Sequence, residues 1–156
     1  MKRECQGFTL IEMLTVIVVI SVVAGMVHVV ASKNPGREAL QQAHHFLQLL
    51  QTTRESAVLE GREYGLRLES ENYQLMRLEQ SVWRPLGPIH QLPAGLFMSL
   101  EQEGQPLVLS EHPGHPQILM LSSDEFSPFT LRLSTRTQPW LSISGDGLGE
   151  PLINEN

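Results

Sequence analysis

From Phe8 to Ala31 the chain reads FTLIEMLTVIVVISVVAGMVHVVA, 24 residues with one formal charge, Glu12, and one histidine, His28. A helix crosses the hydrocarbon of a bilayer with about 20 apolar residues, each rising about 1.5 Å. A helix on a water-soluble domain would show a polar stripe, and none is present in this run. The segment predicts a membrane helix. Lys2 and Arg3 precede it and favour a cytoplasmic amino end, with Glu4 partly offsetting them and Lys33 and Arg37 flanking the far side.

An ordinary secretory signal does not fit. Such a signal carries an apolar stretch of about 7–15 residues followed by a small-residue cleavage site. Here the small residue, Gly7, stands before the apolar run. Cleavage after Gly7 would leave the helix on the mature protein and remove Cys5, the single cysteine. A lone thiol staples nothing within the chain. Lipid attachment at Cys5 is excluded, because only Met1–Glu4 precede it and they are not apolar.

Glu12 is the anomaly of the run. A charge in a membrane helix costs about 2.5–3.5 kcal/mol at the bilayer centre. With Phe8 as a new amino terminus, Glu12 would lie one turn in, where the helix dipole favours negative charge. Two readings are open. A cationic amine of a neighbouring subunit neutralises it, or the side chain reaches the headgroups or takes a proton.

Lys33-Asn34-Pro35-Gly36 interrupts the helical pattern, so a kink or break is expected over 32–36. Periodicity resumes over 37–60, where Leu40, Ala43, Leu47, Leu50 and Ala57 mark an apolar face and Gly61 supplies a stop. Alternation follows. Strands are expected at 64–68, 73–78, 96–100, 107–109, 118–121, 129–133 and 140–143, with glycine and proline between most of them. The fold class is therefore α+β: a long N-terminal helix, half membrane-embedded and half amphipathic, packed on antiparallel sheets. The expected organisation is a leader 1–7, a membrane helix 8–31, the break 32–36, the amphipathic helix 37–60 and a β-rich domain 61–156.

The stretch Gly7-Phe8-Thr9-Leu10-Ile11-Glu12, behind a short basic leader and ahead of an apolar helix, resembles the processing site of type IV pilins and type II secretion pseudopilins. The resemblance implies a pilin-like fold, cleavage after Gly7 by a prepilin peptidase, N-methylation of Phe8 and pairing of Glu12 with a neighbour's amine during assembly. Further on, Arg54, Ala57, Gly61 and Tyr64-Gly65-Leu66, then Tyr73-Gln74-Leu75, Trp83-Arg84-Pro85-Leu86 and Ser127-Pro128-Phe129-Thr130-Leu131-Arg132-Leu133 are similar to the H-type minor pseudopilins. That similarity implies a subunit near the pseudopilus tip, joining the tip complex to the shaft. Its partners would be other minor pseudopilins, the major pseudopilin, the prepilin peptidase/methyltransferase and the bacterial inner membrane, with residues beyond the helix in the periplasm. A minor pilin of a type IV pilus or DNA-uptake apparatus is the nearest alternative, and a membrane-anchored periplasmic enzyme a remote one.

Other constellations point to no chemistry. The net charge of −6 argues against nucleic acid as partner. His112 and His115 lie among prolines and a glycine beside Glu111, which reads as a loop without a third strong ligand. His44 and His45 are adjacent on a helix and diverge. Gly145–Glu150 reads as a turn into a flexible end, with few carboxylates for a calcium loop, although the resemblance to pseudopilins, some of which bind calcium in a C-terminal loop, keeps that case open. His28 suits the membrane interface, and Trp83 and Trp140 suit core or interface positions. No catalytic residue, cofactor or metal is expected, because no nucleophile signature or convergent acid–base set occurs.

Overall fold

A computed structural model describes residues 10–27, 34–109 and 114–155. The chain forms two compact units, residues 1–33 and 34–156. In the first, helix α1 runs Leu10–Val27. Among the described residues no helix is long and apolar enough to cross a membrane. The 18 residues of α1 rise about 27 Å, and both ends of the expected 8–31 segment lie outside the described residues.

The second unit opens with helix α2, Pro35–Glu60. Of the break expected over 32–36, residues 32 and 33 lie outside the described residues, while Pro35 and Gly36 form the first turn of the helix. Asn34 is the N-cap, its side-chain oxygen accepting from the Arg37 N–H at 3.3 Å. Proline is favourable at the first position because the N–H it lacks has no helical partner there anyway. At the other end Gly61 adopts a left-handed conformation (φ 61°) and returns its N–H to the Ala57 carbonyl.

The buried stripe of α2 is Ala39, Ala43, Phe46, Leu50, Thr53 and Ala57. Leu40 and Leu47, expected at its centre, lie half-buried at its margins. Its small residues, Ala39, Ala43, Thr53 and Ala57, flank Phe46 and Leu50 at the middle. Thr53 is satisfied within the helix, its hydroxyl donating to the Leu49 carbonyl at 2.7 Å.

Among the described residues nine strands follow: β1 Tyr64–Leu68, β2 Asn72–Glu79, β3 Val82–Gln91, β4 Phe97–Gln102, β5 Gln105–Leu107, β6 Ile118–Met120, β7 Phe129–Ser134, β8 Pro139–Gly145 and β9 Leu152–Glu155. They form two antiparallel sheets, ordered β3-β2-β1-β6 and β5-β4-β7-β8-β9. Helix α2 contacts β1 and β6 of one sheet and β7 and β8 of the other. Phe46 fills this junction, meeting Tyr73 and Phe129 edge-on at 5.4 and 6.1 Å. Leu66, Ile118, Leu131 and Ile143 close the same core.

Two strands were not expected. β3 contains Pro85, Gly87 and Pro88, which an edge strand tolerates. β9 pairs with β8 from Leu141↔Glu155 to Ser144↔Leu152, so the segment after the Gly145–Glu150 turn is a strand and not a flexible end. The strand expected at 107–109 is β5, two residues earlier, leaving Val108 exposed beyond it.

Candidate assembly surfaces

The first candidate surface is α1. From Leu10 to Val22 its large side chains are exposed, from Val16 at 45% to Leu10 at 83%. A surface this apolar requires lipid or protein around it. Glu12 lies exposed in its first turn and is the single charge in the helix. Thr15 and Ser21 donate their hydroxyls to the Ile11 and Ile17 carbonyls, both at 2.7 Å. Gly7, Phe8 and His28 lie outside the described residues.

In the second unit the best-connected polar group is Arg54, on α2. Its guanidinium donates to the carbonyls of Asp124 (2.9 Å), Gly149 (3.2 Å) and Leu148 (3.3 Å), pairs with the Asp124 carboxylate at 3.2 Å and lies over the Phe126 ring at 4.8 Å. One side chain thus ties the helix to the β6–β7 and β8–β9 connections. The latter connection is also held from within. Asp146 accepts from the Leu148 and Gly149 N–H groups, and these bonds hold its carboxyl below the usual range. Asp146 is therefore committed to its own turn, and among the described residues no three His, Cys, Asp or Glu side chains gather as a metal site would require. The sequence reading names Arg54 among the residues similar to the H-type minor pseudopilins, without a contact for it. Its role rests on contacts with residues 70 to 95 positions away, which no local pattern signals.

A second cluster joins α2 to the β2–β3 hairpin. The Tyr73 hydroxyl lies 3.0 Å from His45 Nδ1, His90 stacks on the Tyr73 ring at 5.0 Å, and the two imidazoles meet edge-on at 5.1 Å. Burial pushes the Tyr73 phenol up to about 12, and burial together with the nearby His45 lowers His90. His44 and His115 are exposed, and His112 lies outside the described residues. Trp83 and Trp140 are half-buried. Trp140 packs over Gly36, with its indole N–H buried.

With this geometry in hand, comparison with known proteins is informative. Residues 2–27 match the family described as the prokaryotic N-terminal methylation motif, and residues 42–149 the family described as type II transport protein GspH. Type II secretion system protein H of Pseudomonas aeruginosa is 39% identical over 166 residues, covering 97% of this chain and 96% of that one. The protein of the same name from Aeromonas hydrophila is 32% identical, covering 88% and 86%. The crystal structure of the minor pseudopilin EPSH from the type II secretion system of Vibrio cholerae matches with TM-score 0.66 at 24% identity, over 76% of this chain and 94% of that one. The solution structure of E. coli GspH matches with TM-score 0.66 at 17% identity, over 81% and 94%. Those two likenesses establish a common fold, which is pilin-like. A processing motif at one end, a GspH match over most of the remainder and relatives aligned across almost their whole length lead to one conclusion: the chain belongs to the type II transport protein GspH family and is a minor pseudopilin of type II secretion.

Proposed function

We propose that the protein is a structural subunit near the tip of the pseudopilus, linking the tip complex to the shaft of major subunits, and that it catalyses no reaction. The observation that carries this reading is the union in one chain of a methylation motif at 2–27 with a GspH region at 42–149. Prepilin peptidase cuts after Gly7 and methylates Phe8. The 8–31 segment then holds the subunit in the inner membrane, amino end in the cytoplasm and β-rich domain in the periplasm, until it moves into the filament core. The exposed apolar side chains of α1 suit both surroundings.

In this scheme Glu12 binds the amine of an adjoining subunit. Neutralisation removes the cost of an isolated carboxylate among apolar neighbours, and a charge-assisted bond fixes the register between subunits. A place in a type IV pilus gains no support, since the three curated relatives all carry type II secretion names.

Intact-mass and peptide spectrometry of the protein from cells with active prepilin peptidase tests the scheme. The expected mature chain begins at Phe8 with one added methyl group. A chain that still begins at Met1 would overturn it.

A further inference from the structure

A sheet presents unpaired N–H and C=O groups at each edge, and folded proteins blunt these edges or use them. This fold has four. β3 carries Pro85 and Pro88. β5 is three residues long with Pro106 at its centre. β6 is sealed by Ser127, whose hydroxyl accepts from the Leu119 N–H at 3.0 Å and whose N–H donates to the Leu119 carbonyl at 2.9 Å. β9, four residues long, has neither the proline nor the sealing side chain. Leu152–Glu155 contains no proline, and among the described residues its outward backbone groups make no hydrogen bond.

The strand is nevertheless well seated. Ile153 lies opposite Ile143 and packs half-buried against the core, while the Asn154 amide donates to the Ser144 hydroxyl at 3.1 Å. Leu152, opposite Ser144 on the outer polar face, is 65% exposed, and Leu148 nearby is 70% exposed. The segment that carries the edge has charge of one sign, and Arg54 of α2, at the adjoining turn, is engaged by the Leu148 and Gly149 carbonyls and by Asp124. Residues 137–156 include Asp146, Glu150 and Glu155 and no Lys or Arg. Asp146 is bound by its own turn, and among the described residues Glu150 and Glu155 enter no ion pair.

We propose that the outer edge of β9 accepts an extended strand of another pseudopilin subunit, one bearing lysine or arginine opposite Glu150 and Glu155 and apolar residues beside Leu152 and Ile153. Main-chain bonds supply the attachment and alternate side chains the selectivity, as in strand addition generally. A second copy of this chain fits poorly, because it would bring together two segments of like net charge with no Lys or Arg in either. The class of partner rests on the filament reading above; the open edge does not.

The test compares amide hydrogen exchange of the full-length chain in detergent micelles, alone and copurified with the other pseudopilins of its secretion system. Exchange at Leu152–Glu155 should slow at least tenfold in the complex, with the outer edge of β3 unchanged. The double variant Glu150→Lys/Glu155→Lys, altering two exposed residues, should lower recovery of the complex several-fold while leaving exchange in the core unchanged. A complex that forms without protection at β9 sinks the edge proposal and leaves the filament reading standing. Absence of any complex sinks both. Protection that appears in the isolated chain as its concentration rises assigns the edge to a second copy, and so also overturns the proposal.

Discussion

Arg54 holds Asp124 at two points, through the Asp124 carbonyl at 2.9 Å and its carboxylate at 3.2 Å. The two attachments differ in weight. The Asp124 side chain is 63% exposed and that of Arg54 only 12%, so water weakens the ion pair, whereas three carbonyls on exposed residues act together on one largely buried guanidinium. Asp124→Asn should therefore cost less than about 1 kcal/mol. Arg54→Lys should cost about 2 kcal/mol, because an ammonium cannot reproduce the planar fork shared among three carbonyls. Urea unfolding of the full chain in micelles, followed by near-ultraviolet circular dichroism, separates the two.

Gly36 should resist substitution although it lies in a helix. A Cβ there would stand 2.8 Å from Trp140 Cε3 and 3.0 Å from Cζ3. Helix propensity alone favours alanine by about 1 kcal/mol, and displacing the indole should cost about 1–3 kcal/mol. Gly36→Ala in a Trp83→Phe background should shift the emission maximum of Trp140 and leave the protein no more stable. Clear stabilisation with unchanged emission would show that the ring yields freely.

Acid should loosen the hold of α2 on the β2–β3 hairpin. Burial and the neighbouring His45 lower the pKa of His90 in the folded protein, favouring its neutral form. The unfolded chain consequently binds the proton more readily between the two pKa values, so this contribution is present above about pH 6.5 and is lost as pH falls through the folded value. His90→Gln should flatten the stability profile between about pH 5 and 7. An unchanged slope in the variant would assign the dependence to other groups.

Glu12→Ala should leave the β-rich unit folded, since Glu12 lies in the other compact unit, and should sharply reduce incorporation into pseudopili. Sedimentation of sheared filaments, with thermal unfolding as control, reads both effects. Normal incorporation would remove Glu12 from the assembly step.

Much of this fold can be read locally, because β-alternation and helical spacing are short-range signals. β1, β2 and β7 lie within a residue of their expected limits. The helix face was harder. Leucine spacing draws the eye to Leu40 and Leu47, whereas close approach to the sheets puts Ala39, Phe46 and Thr53 in the stripe. Proline hid β3, since the rule against proline in strands relaxes at an edge. β9 is four residues ending in Asn154 and Glu155, and only pairing with β8 makes it a strand. For α1, residue type alone carries the match of residues 2–27 to the methylation motif, and the partner proposed for Glu12 would belong to another chain.

The two hydroxyls of α1 bear on how such a subunit travels. Thr15 and Ser21 spend their donors on carbonyls of the preceding turn, so neither asks anything of whatever surrounds the helix. On the proposed passage from acyl chains into a bed of like helices, these two hydroxyls would neither lose a bond nor leave one wanting. For these two groups the surroundings are interchangeable, so on that proposal it is Glu12, the single charge of α1, that distinguishes lipid from filament.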